Sequence, residues 1–96
     1  MATAAAETAP AARIFKALAH PARLVLLRRL QERECCVSEV EHCLGISQPN
    51  VSQHLKILKD AGLIVGRREK TRMCYRIADK RIGRILDIFW EGNKKP

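Results

Sequence analysis

Between Ser38 and Gly62 the chain carries two amphipathic helical patterns separated by one glycine, Gly45, and that punctuation restricts the fold more than any other feature. Ser38 and Glu41 have the spacing of a capping box, so a short helix is expected to begin at Ser38. Gly45 supplies the left-handed residue that ends it, with Val40 and Leu44 as its inward contacts. Ser47 then suits an N-cap and Pro49 a first-turn position, and the second pattern runs to Ala61. Its Val51, Leu55 and Leu58 recur at i, i+4 and i+7 and share one face, whereas Pro49, Ser52, Gln53, Lys56 and Asp60 share the other. Two helices joined this tightly cross at a steep angle, and the second stands out as a ridge.

The flanking sequence completes a mainly α fold with a small β-hairpin. Residues 1–9 are Ala-rich and lack large apolar side chains, so a disordered tail is expected there. A first helix is expected from Pro10, with Ile14, Phe15 and Leu18 as its stripe, and a second from Pro21, with Leu24, Leu27 and the set Val25, Leu26 and Leu30 filling one broad buried face. After Gly62, two β-rich runs flank the charged turn Glu69-Lys70-Thr71-Arg72, which reads as a hairpin. Asp79 can cap a last helix whose Ile82, Ile85, Leu86 and Phe89 form an apolar stripe. The expected order is helix, helix, short helix, helix, hairpin, helix over residues 10–92, followed by a basic tail at 93–96; that order describes a winged helix-turn-helix. A chain of 96 residues fits one such domain, and one this small gains from dimerising.

Charge narrows the partner. Lys and Arg number 18 against 10 Asp and Glu, a formal charge of +8, which points to a polyanion, with nucleic acid ahead of a membrane surface. No apolar run has the length of a membrane span and no secretory signal opens the chain, so a cytoplasmic location is expected. Paired acid and base groups, a nucleophile beside a His and a Gly-rich phosphate loop are all missing from the spacing, which argues against an enzyme. Along the ridge, Ser47, Gln48, Asn50, Ser52 and Gln53 carry the amides and hydroxyls that read base edges, and Lys56 suits a phosphate. Arg67, Arg68, Lys70 and Arg72 crowd like charges at the hairpin turn, an arrangement that an anion in a flanking groove relieves.

The segments ALAHPARLVLLRRL, ECCVSEV, LGISQPNVSQHLKILKDAGLI and GRREKTRMCYRI together resemble the ArsR/SmtB family of small dimeric winged-helix repressors, which release DNA on binding metal or metalloid ions. The likeness runs from about Ala12 to Trp90 and is most specific over SQPNVSQHLKILKDAGLI. It implies a repressor that binds double-stranded DNA at an inverted-repeat operator as a homodimer, with the first and last helices forming the dimer contact.

The inducer turns on the cysteines. The arsenic-sensing branch carries Cys-Val-Cys at the entry to the short helix; here Cys36, Val37 and Ser38 occupy those positions, so one thiol is kept and one replaced. Cys35 and Cys43 supply the other local sulfurs, and a soft ion needs two or three thiolates close together. The expected ligands are therefore Cys35, Cys36 and Cys43, with Cys74 as a further candidate that strand alternation turns away from the apolar side, exposed and far from the rest. No cofactor is required; the expected inducers are As(III) or Sb(III), ahead of Cd(II), Pb(II) or Zn(II). Oxidation of Cys35 with Cys36 is the alternative trigger, and a DNA-binding protein without any metal response is another. The family's carboxylate and His site across paired last helices has no counterpart, because that helix offers Asp79 and Asp87 but no His.

Overall fold

Eight elements follow one another: α1 (Ala2–Leu18), α2 (Pro21–Glu32), β1 (Cys35–Cys36), α3 (Val37–Leu44), α4 (Gln48–Asp60), β2 (Ile64–Glu69), β3 (Arg72–Ile77) and α5 (Lys80–Asn93). The computed structural model describes residues 2–45 and 47–93, with the side chains at positions 2, 3, 43, 48, 92 and 93 outside the described set. Of the expected site residues, the side chains of Gln48 and Cys43 therefore lie outside the described residues, as does the tail Lys94-Lys95-Pro96.

α2 is the central post. Leu26 and Leu27 are fully enclosed, and they pack with Val51, Leu55 and Leu58 of α4, Leu63 and Ile64 at the entry to β2, and Ile82 and Leu86 of α5. Among the described residues no polar or charged side chain is buried in this core, so packing of apolar surface is what holds the helices together. The three-stranded sheet has the order β1-β3-β2, antiparallel throughout, and β2 and β3 form the expected hairpin with Glu69 opposite Arg72. Gly66 sits directly opposite Tyr75, whose ring occupies the space a β-carbon would need, 2.7 Å from the ring's Cε1.

Three boundaries differ from expectation. α1 begins at Ala2, so the expected tail at 1–9 is helical from Ala2 onward and Pro10 lies within the helix. Ala has the highest intrinsic helix propensity, which the Ala-rich start exploits without any core to join; residues 4–13 are exposed throughout. The second difference is β1, a two-residue strand beside β3 that adds a third strand to the hairpin. The third follows from it. Pairing with Cys74 holds Cys36 in extended geometry (φ −90°, ψ 160°), so α3 starts at Val37 rather than at Ser38. Glu39, not Glu41, reaches back, its Oε1 accepting from the Cys36 N–H at 2.9 Å.

Two of the remaining caps, Gly45 and Asp79, are as the residue types suggest. Gly45 ends α3 at φ 67°, the left-handed conformation. Asp79 Oδ1 accepts from the Arg81 N–H at 2.9 Å at the start of α5. His20 caps α2, its Nδ1 accepting from the Ala22 N–H at 3.1 Å. Because a β-carbon is strained in the left-handed region, Gly45→Ala should lower unfolding stability by about 1–2 kcal/mol in a denaturant titration. Gly45→Asn should cost less, since Asn tolerates that conformation better.

Candidate nucleic-acid interface

α4 presents its polar side to solvent because its apolar side is committed. Val51 and Leu58 are fully buried and Leu55 nearly so, which leaves Pro49, Asn50, Ser52, Gln53 and Lys56 exposed on the opposite face. Ser47 stands at the N-cap with extended backbone, and its hydroxyl makes no capping hydrogen bond, so it stays available at the tip of the ridge. Pro49 lies in the first turn, where a missing N–H costs nothing. Lys56 is paired with Asp60 at 2.8 Å, and that carboxylate holds its ammonium above the ordinary lysine pKa. A phosphate would have to compete with Asp60 for it.

The hairpin carries its cations on both faces. Arg67, Glu69 and Arg72 alternate onto the side that also bears Cys74, while Arg68 shares the side of Gly66 and Tyr75. Arg67 is engaged by Glu34 at 2.6 Å and Glu69 at 3.4 Å, and Arg72 meets Glu69 at 3.3 Å. These guanidinium groups hold the Glu69 carboxyl below its ordinary pKa, Arg72 contributing most. Among the described residues Arg68 and Lys70 have no carboxylate within ion-pair reach. Lys70 sits at φ 60° in the two-residue turn, an uncommon conformation for a non-glycine residue. Between α3, α4 and this hairpin runs a cleft of about 440 Å³ of mixed character, bordered by Val37, Ser38, Glu41, Ser52, Arg72 and Met73.

The cysteines depart most from expectation. Cys74 faces away from the apolar side as alternation requires, but it is 1% exposed and joined to Cys36 by a disulfide, not exposed and distant. β1 explains this: it sets Cys36 directly opposite Cys74 and covers it. Cys35, being the adjacent strand residue, points to the other face, opposite Tyr75, where it is buried and its Sγ donates to the Arg33 carbonyl at 3.5 Å. The structure therefore brings Cys36 to Cys74 and does not bring Cys35 and Cys36 to a common face. The Glu69 carboxylate lies beside the disulfide, its oxygen and the two sulfurs all within 4.8 Å of one another.

One group beside the ridge was not expected from the sequence. Arg23 of α2 donates to the Lys16 and Ala17 carbonyls at the end of α1 and to Nδ1 of His54 in α4, at 3.3 Å for the last. The His20 ring lies 4.5 Å from the His54 ring. Separations of 31 residues and more hide such a cluster from any periodicity argument. Burial lowers the His54 pKa first, and His20 and Arg23 lower it further. A histidine whose folded pKa is depressed is favoured neutral, so its contribution is full above the ordinary value of 6.5 and is lost as pH falls below it. Stability followed from pH 7.5 to about 5 should therefore decline on the acid side, and His54→Gln should flatten that decline.

Comparison with known proteins agrees with this architecture. Residues 20–65 match the sequence profile of the bacterial regulatory proteins of the arsR family. The chain is 42% identical over 76 residues to the HTH-type transcriptional repressor SmtB of Mycobacterium tuberculosis, covering 79% of this chain and 56% of that protein. It is 40% identical over 77 residues to the biofilm growth-associated repressor of Agrobacterium fabrum, covering 80% and 66%. The chain thus spans between half and two thirds of the length of these relatives. Among solved structures, the homodimeric winged helix-turn-helix DNA-binding domain of a possible ArsR-family regulator from Mycobacterium bovis superposes with a TM-score of 0.84 at 34% identity, covering 94% of this chain and 83% of that one. The transcriptional repressor BigR from Xylella fastidiosa gives a TM-score of 0.81 at 30% identity, covering 95% and 94%. That family is one of regulatory proteins rather than enzymes, and with its sequence match, its winged helix-turn-helix and its outward α4, this chain belongs to the ArsR family.

Proposed function

We propose that the chain is the DNA-binding unit of a homodimeric transcriptional repressor, in which α4 enters the major groove and the β2–β3 wing grips the flanking backbone. The observation that carries this reading is the exposed polar face of α4, from Ser47 to Lys56, standing opposite its fully buried apolar face. The basic wing beside it and the excess of positive charge supply the affinity that phosphates require. A second copy is supported by the apolar surface of α1, α2 and α5. Phe15, Val25, Ile88 and Phe89 are 57%, 45%, 69% and 64% exposed, and a groove of about 520 Å³ runs between Phe15, Leu24, Phe89 and Trp90. Two copies joined there would present two recognition helices to an inverted-repeat operator.

Release is proposed to act through sulfur chemistry at Cys36, with a thiophilic metalloid or metal ion as inducer. Cys36 is the residue from which α3 springs, and it touches the wing through Cys74, so a change at its sulfur bears on both α3 and the wing. The second reading, a redox switch without metal, is favoured by one specific observation, the Cys36–Cys74 bond itself; Cys74 takes the place expected for Cys35. The two separate in a mobility shift on the DNA upstream of the chain's own gene. Release of reduced protein by arsenite, antimonite or cadmium supports ion sensing, and release by peroxide alone supports the switch.

Base reading has its own test. Gln53→Ala should cost about 1–3 kcal/mol on the specific site and little on random DNA, as the loss of a base contact does. Arg68→Ala should weaken both about equally and reduce the salt slope by about one ion. Lys70→Gly should relieve the left-handed turn and raise stability while weakening DNA binding, the pattern of a residue kept for contact at the expense of the backbone.

A further inference from the structure

The outer face of the wing sheet gathers a cysteine pair and a carboxylate that neither base reading nor phosphate gripping uses. Cys36 of β1, Cys74 of β3 and Arg67 of β2 stand in one row across the sheet, with Arg72 and Glu69 in the next row toward the turn. Both sulfurs are enclosed, at 5% and 1% exposure, and the Glu69 carboxylate completes a triangle of donor atoms within 4.8 Å. We propose that the Cys36–Cys74 pair, once reduced, forms with Glu69 a two-sulfur, one-oxygen site for a thiophilic divalent cation. The proposal rests on the thiol control of Cys36 argued above and names its ligands and ion class.

The chemistry balances in two steps. A dithiol or phosphine reductant opens the disulfide: a dithiol is itself oxidised to a disulfide, a phosphine to its oxide with an oxygen taken from water, and in either case two thiols remain on the protein. The cation then replaces the two thiol protons, which pass to buffer. Two thiols held in contact and out of water cannot both ionise without a compensating charge, and the cation supplies it. Two thiolates with the Glu34 and Glu69 carboxylates outweigh the Arg67 and Arg72 guanidinium groups by the charge of one divalent ion.

The donor set also selects among ions. Cys35 lies on the opposite face of β1, so this face offers two sulfurs and a carboxylate rather than three sulfurs. Such a mixed set suits zinc or cadmium, with a fourth tetrahedral position left to solvent. Glu69 is the adjustable member, because Arg72 and Arg67 already hold it and an ion must draw it away from them.

The test is a cadmium titration of the full chain, reduced with a phosphine and freed of reductant under inert gas, following the sulfur-to-metal absorption band. The expected result is one ion per chain with a two-thiolate band, unchanged in Cys35→Ser and halved in Cys36→Ser and in Cys74→Ser. Glu69→Gln, a near-isosteric change at the half-buried wing tip, should keep the band and weaken affinity about tenfold. Arg72→Ala, which leaves Arg67 as the remaining guanidinium on Glu69, should tighten it. A band lost in Cys35→Ser but kept in Cys74→Ser overturns the proposal, as does a Glu69→Gln affinity equal to the parent's. A pair that no reductant opens overturns it too, making the disulfide a permanent crosslink. DNA binding is measured on the same samples: failure to bind any DNA with an intact cadmium site counts against the repressor reading alone, and normal DNA binding without a cadmium site counts against the site alone.

Discussion

The burial of Val51, Leu55 and Leu58 against α2 is the interaction on which the rest depends. Removing such side chains from water is worth about 1.5–3 kcal/mol each, more than the exposed ion pairs of this protein can offer. Once those three are committed, helical geometry leaves no freedom about where the intervening residues point. Asn50, Ser52, Gln53 and Lys56 face outward because their neighbours face inward. Function here is the other side of packing, and α4 is exposed on its polar face for the same reason that it is stable.

The wing obeys a different constraint. Its strands are too short for much core of their own, so the sheet relies on Ile64, Tyr75 and Ile77 packing on the helices and on β1 closing the far edge. β1 is only two residues long, yet it fixes the first residue of α3, positions Cys36 against Cys74 and places Glu34 on Arg67. A change at that edge therefore reaches both the helix-turn-helix and the basic hairpin. Any signal delivered to Cys36 has a short physical path to the surfaces that would meet DNA.

Much of this was legible in the sequence where the information is local. Helical period located α2, α4 and α5, Gly45 marked the end of α3, and the charged run at Glu69 to Arg72 marked the turn of the wing. What stayed hidden depends on partners distant in the chain. Two capping patterns overlap between Cys36 and Glu41, and only the pairing of Cys36 with Cys74, 38 residues away, decides between them. Strand alternation gave the correct side for Cys74 but could not show that β1 would cover it. The Ala-rich start departs from expectation for another reason: it has no core to join, and its helix reflects intrinsic propensity alone. The contact of Arg23 with His54 links three helices and leaves no pattern within any one of them.

An amide NMR titration with a palindromic duplex reads, residue by residue, which surface meets DNA. Perturbations are expected to concentrate on residues 47–56, at the N-cap and along α4, and on residues 67–72 of the wing, diminishing as salt is added. Perturbations centred instead on the apolar groove between Phe15 and Phe89, with α4 unmoved, would contradict that expectation.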